Sequence, residues 1–174
     1  SAKDQYDGEA RFLRALTYFN LVRFWGKVPI ILEPVSPEEA LNIGRSDVSI
    51  VYESIEDDLL KAIEQLPSSY SGEDVGRATS GSAKALLGKV YLTQKKYSDA
   101  KNTLEQLLGT YSLQNNVADV FSVNNKMNNE IIFAIRFNKE VVDEGHGDWF
   151  TVSDVSISPI TETLKNAYDV ADER

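Results

Sequence analysis

The residues best suited to chemistry gather late in the chain, in "DEGHGDWF" at positions 143–150. Trp149 and Phe150 stand there beside Asp143, Glu144, His146 and Asp148. A sugar site needs these groups: an aromatic face for the apolar C–H face of the ring, and polar groups for the hydroxyls. Trp149, Phe150, Asp148 and His146 are therefore expected ligand contacts. The competing reading is that loop aromatics of this kind tuck back onto the core. His146 among carboxylates also invites a metal, but the spacing matches no zinc or calcium motif. As the single histidine of the chain, it reads as part of a solvated loop, and no metal site is expected.

Other candidates are weaker. Arg11 and Arg14 lie one i,i+3 step apart and could hold an anion, with Arg23 further along the same segment. In a chain so rich in acids, ion pairs or helix C-terminal contacts are the expected roles of all three. Phe24-Trp25 could stack a sugar, yet "GKVP" follows at once, and packing at a helix end is the expectation. The neighbouring carboxylates Glu38-Glu39 and Asp57-Asp58 would point about 100° apart on a helix, which is no acid–base couple. G-x-S-x-G, P-loop and dinucleotide fingerprints do not occur. The chain has no cysteine, so thiolate metal sites, disulfides and cysteine nucleophiles are excluded. No enzyme is expected, and no cofactor.

Composition narrows the partners. The 174 residues are 42% hydrophobic, enough for one core. Lys and Arg number 18 against 27 Asp and Glu, for a net charge of −9. These basic residues form no block, which disfavours nucleic acid and a polybasic membrane contact. No apolar run is long enough to span a bilayer. A signal peptide is not visible, and both ends read as cuts in a longer chain.

The elements that must position these groups are mostly helices. Phe12, Leu13, Leu16, Phe19, Leu21, Val22 and Trp25 recur at threes and fours, predicting a helix over 9–25 closed by Gly26. An ordered, proline-bearing loop follows. Asp47 is a suitable N-cap for a helix over 48–66, stopped by Pro67. A small-residue polar loop leads to Thr79 or Ser80, either of which can cap a helix running to about 94. "KKY" then turns the chain into a helix over 98–108, ended by Gly109. "EIIFAIRF", 130–137, reads as a strand. An aperiodic stretch and an amphipathic helix over 160–168 complete the chain. The expected fold is mainly α with one short β element, in a single helical domain over 1–174. It comprises two helix pairs (9–66 and 80–109), a loop and strand region (110–159) and the terminal helix.

The stretch 82–108 fits a tetratricopeptide hairpin, whose repeat is about 34 residues. Antiparallel helices approach closely only where side chains are small, so Ala83, Gly88 and Ala100 mark the crossings. Leu87, Tyr91, Tyr97, Leu104 and Leu107 would fill the spaces between. A glycine in mid-helix costs about 1 kcal/mol against alanine, so packing must offset it at Gly88. Ala15 and Tyr18 repeat the spacing of Gly88 and Tyr91 on the earlier pair, with a long insertion at its turn.

"GEARFLRALTYFNLVRFWGKVPII" resembles the signature helix and turn of the SusD/RagB family of outer-membrane nutrient-binding proteins. The resemblance continues through "VYESIEDDLLKAIEQLP", "GRATSGSAKALLGKVYLTQKKYSDA", "NNEIIFAIRF" and "ITETLKNAYDVADER", in family order over essentially the whole chain. It implies tetratricopeptide-like helix pairs with a loop-rich ligand region, and ligand-contacting aromatics after the "EIIFAIRF" segment. It further implies a longer lipoprotein facing outward from the outer membrane, with its lipid-bearing cysteine outside this stretch. That protein would pass an oligosaccharide or other nutrient to a TonB-dependent transporter. Two other readings are a tetratricopeptide-type protein-interaction scaffold and, ranked last, a piece with glycoside hydrolase activity. The scaffold requires polar inner helix faces, whereas here Phe, Leu and Tyr line the first helix of each pair.

Overall fold

The computed structural model describes residues 1–122 and 124–135. Six α-helices follow in order: α1 Ala2–Trp25, α2 Pro37–Leu41, α3 Val48–Gln65, α4 Ser80–Thr93, α5 Tyr97–Glu105 and α6 Val117–Val120. A 3-10 turn, Gly72–Asp74, lies between α3 and α4. Helix α1 packs on α3, α3 on α4 and α4 on α5, so each long helix lies against its successor. The expected helix 160–168 lies outside the described residues.

The apolar periodicity explains the packing. Phe12, Ala15, Phe19 and Val22 form the buried stripe of α1. Val51, Ile55, Leu59 and Ala62 face them from α3, and Ala83, Leu86, Leu87 and Val90 from α4. Phe12 and Phe19 are each 2% exposed, so the aromatic faces that an interaction array would leave open are the core itself.

Caps set the boundaries. Helix α1 already runs from Ala2, earlier than the periodicity shows, and Ser1 and Asp4 form a capping box in its first turn. Thr79 and Ser82 do the same for α4. Asp47 occupies the N-cap of α3, but its side chain makes no cap bond and pairs with Lys27 instead. Gly26 ends α1 at φ +67, a left-handed backbone that a Cβ would strain. Between Val28 and α3 the expected loop contains the short helix α2, started by Ser36 with Pro37 behind it.

The α4–α5 hairpin follows the expected crossings. Ala83 and Ala100 are buried. A Cβ on Gly88 would lie 2.5 Å from Leu104 Cγ and Cδ2. Tyr97 departs from expectation: it is 62% exposed, because it opens α5 at the turn rather than facing α4. Leu104 meets Gly88 yet remains 38% exposed. Gly88→Ala should cost about 1 kcal/mol net, since overpacking outweighs the gain in helix propensity. In a Leu104→Ala background the same change should become stabilising, a sign reversal readable by urea denaturation.

The strand expected over 130–137 does not form in its described part. Residues 130–135 carry no ladder, and the described residues contain only the isolated bridges Val28–Ser46 and Leu108–Tyr111. A strand needs a partner for its backbone groups, and here the apolar run is used differently. Phe133 packs edge-to-face on Phe12, with ring centroids 4.8 Å apart.

Candidate functional site

A groove of about 690 Å³ opens along the N-terminal half of α1. Leu13, Ala78 and Phe133 provide its apolar walls, and Ala134 and Ile135 continue them. Glu9, Glu73, Arg77 and Lys126 place two acids and two bases among these walls. A volume of this order, apolar with a few polar groups, suits a small ligand.

Its polar side is fixed by one carboxylate. Arg77 Nε donates to Glu9 Oε1 at 3.0 Å and Nη2 to Oε2 at 2.6 Å, a two-point fork. Gln5 Nε2 and the Tyr70 hydroxyl also donate to Oε1. Arg77 Nη1 reaches Asp74, and its guanidinium stands 5.6 Å from the Tyr6 ring centroid. Burial pushes the Glu9 carboxyl upward, but the hydrogen bonds from Arg77, Tyr70 and Gln5 together outweigh it and leave the pKa lowered. Burial, then the hydrogen bond to Glu9, push the Tyr70 phenol up to about 12.

These shifts predict pH dependence with a definite sign. A depressed carboxyl stabilises the fold above its unfolded pKa, and that stability is lost as pH falls through the folded value. Glu9→Gln should therefore flatten the acid limb of a Tm–pH curve below its ordinary 4.5. A phenol raised from 10.0 to about 12 stabilises fully below pH 10 and loses that contribution between those values. Ultraviolet titration should show one tyrosine ionising near the upper figure, absent in Tyr70→Phe.

The opposite wall depends on Asn128, which is buried. Its amide donates to the carbonyls of Val120 and Asn125, and its Oδ1 accepts from the Glu130 N–H. This turn carries Lys126 on one side and Phe133 on the other.

A second cluster lies further round α1. Asp58, with its side chain 6% exposed, accepts from Arg11 Nη1 at 2.9 Å and from Arg14 Nε and Nη2 at 2.7 Å each. Arg11 also pairs with Asp7, whose pKa is lowered chiefly by that hydrogen bond. Arg14 Nη1 donates to the Leu32 carbonyl, and Tyr18 bonds Ile31, so α1 holds the loop before α2. These arginines are ion-paired, as expected, and no anion site is required. Arg23 differs: it donates to Asn20 and to the Phe19 carbonyl, and it stands over the Phe19 ring. Asp57 and Asp58 are no couple, since only Asp58 faces the arginines.

The sequence-derived ligand residues Trp149, Phe150, Asp148 and His146 lie outside the described residues. Residues 133–135, which line the groove, precede them in sequence. Phe24 and Trp25 do not pack away as expected; they are 74% and 67% exposed. Sequence reasoning missed the Glu9–Arg77 pair, whose members stand 68 positions apart. Both lie in recognised motifs, but no local spacing could join them. Among the described residues no three His, Cys, Asp or Glu side chains gather as a metal cluster, and no helix is long and apolar enough to cross a membrane.

Comparison with known proteins supplies the remaining facts. The SusD-like family model described as "Starch-binding associating with outer membrane" matches residues 1–92. A SusD-like protein of Formosa agariphila is 34% identical over 135 residues, covering 76% of this chain and 26% of its own length. The structure of a SusD-like protein from Bacteroides fragilis superposes with a TM-score of 0.74 at 34% identity, over 80% of this chain and 28% of that one. A laminarin-binding SusD-like protein gives 0.71 at 43% identity, over 75% and 30%. The chain thus spans about a quarter of the length of the curated relatives it matches.

Proposed function

Since the chain belongs to the SusD-like family, we propose that it is the helical part of a longer, non-catalytic protein that captures a glycan at the cell surface. The observation that carries this reading is the groove beside α1, whose apolar walls are braced by the Glu9–Arg77 fork and whose lining includes Glu73 and Lys126. Carbohydrates offer alternating apolar C–H faces and hydroxyl edges, and such a groove complements both.

Capture would proceed by stacking and hydrogen bonding without bond cleavage. Trp149 and Phe150 would present the stacking face, and Asp148 and His146 would bond hydroxyls, in the segment that follows Phe133. The Glu9–Arg77 fork would keep its wall rigid, lowering the ordering cost at binding. The full protein would face outward from the outer membrane through a lipid anchor and hand its ligand to a TonB-dependent transporter. The interaction-scaffold alternative is not favoured, because Phe12 and Phe19 are buried.

The test is calorimetry of the full-length protein with a glycan panel, beside its Trp149→Ala variant. Loss of an aromatic stacking partner should weaken binding about two- to tenfold, since roughly 0.5–1.5 kcal/mol is typical of such contacts. Binding unchanged in Trp149→Ala would move the contact elsewhere, and no glycan bound by the full protein would sink the reading.

A further inference from the structure

Phe24 and Trp25 are the most prominent aromatics outside the groove. They stand at the C-terminal end of α1, 74% and 67% exposed, with ring centroids 5.6 Å apart at 62°. Their base is rigid. The Gly26 N–H closes the helix on the Val22 carbonyl at 2.9 Å, and the Ser46 N–H bonds the Val28 carbonyl at 2.9 Å. Val48, 38% exposed, lies against Gly26 and widens the apolar area. Two large rings held rigidly in water are costly unless something covers them.

Two observations decide what covers them. First, edge-to-face rings present a stepped knob, whereas a pyranose stacks on a continuous plane. Second, the adjacent polar groups are already committed: Lys27 pairs with Asp47, and Arg23 donates to Asn20 and to the Phe19 carbonyl. Little remains to meet sugar hydroxyls, so the knob suits an apolar protein pocket, in the manner of an aromatic hot spot. In the solved relatives the matching helical body makes up only 28% and 30% of the chain. If this chain is likewise one part of a longer protein, the remainder can supply such a pocket.

We infer that the Phe24–Trp25 knob is an internal docking point, seated in an apolar pocket of the remaining part of the longer protein. The inference rests on the reading above that the chain is one part of such a protein, and not on its binding a glycan.

Hydroxyl-radical footprinting of the full-length protein and of the 174-residue chain, read at Trp25 and Phe24, tests it. Oxidation at both residues should fall several-fold in the full protein alone. As a second readout, Phe24→Ser/Trp25→Ser should lower the Tm of the full protein by several degrees more than that of the 174-residue chain, which loses only the contact between the two rings. Equal oxidation in both proteins overturns the inference. So does protection that appears only with transporter added, or only with glycan added, since the occupant would then be one of those. Glycan binding measured on the same full protein separates the two claims. Protection without binding sinks the functional reading alone, and binding without protection sinks this one alone.

Discussion

Asp58→Ala is expected to destabilise the helical body by about 3 kcal/mol, measured as a shift in the urea midpoint. Asp58 is buried and is the shared acceptor of Arg11 and Arg14, three hydrogen bonds converging on its two oxygens. Removing it leaves the Arg14 guanidinium without a counter-ion beside Arg11, which keeps only its pair with Asp7. The Arg11 and Arg14 side chains retain 24% and 29% exposure, so water relieves part of the penalty and the low end of the range for a broken buried pair applies. The consequence extends beyond α3. Arg14 also holds the Leu32 carbonyl, so faster amide exchange should appear around Ile31 and Leu32. Asp58→Asn keeps the size but weakens the charge-assisted bonds, and should fall between wild type and alanine. A midpoint unchanged in Asp58→Ala would mean that the cluster contributes no stability.

Phe12→Ala should cost about 4 kcal/mol, the usual range for deleting a buried phenylalanine. Phe12 is 2% exposed, with α3 behind it and the Phe133 ring edge-on at 4.8 Å. Its loss opens a cavity beneath the groove and removes the support of one apolar wall. Phe133→Ala should cost less, about 2 kcal/mol, because that ring is only half buried. The two changes should not add, because residues in direct contact couple by roughly 0.5–1.5 kcal/mol. A double-mutant cycle giving zero coupling would show that the aromatic contact does not join the core to the groove.

The long helices were legible in the sequence because their signals are local. Threefold and fourfold apolar spacing, a Thr79 cap and Gly26 or Pro67 stops act within one or two turns of chain. Gly88 and Ala100 announced a close crossing for the same reason, since only small residues permit it. The family was legible from the "GEARFLRAL" and "GRATS" motifs, which place Glu9 and Arg77 without revealing that they meet. Boundaries and exposures were less legible. Asp47 had the residue type of a cap, but Lys27 engages its carboxylate. Trp25 had the pattern of a packed helix end, yet α1 finishes with both rings in solvent.

The sequence by itself therefore determined the helices, the small-residue crossing and the family. Backbone propensity and side-chain period are properties of neighbours along the chain. Only the tertiary structure decided that "EIIFAIRF" contributes Phe133 to the core edge instead of forming a ladder over 130–135. It also decided that Glu9 and Arg77 build one wall of a groove and that Asp58 is shared by two arginines. Those outcomes depend on groups brought together from distant positions, where desolvation and hydrogen-bond geometry, rather than local spacing, select the partner.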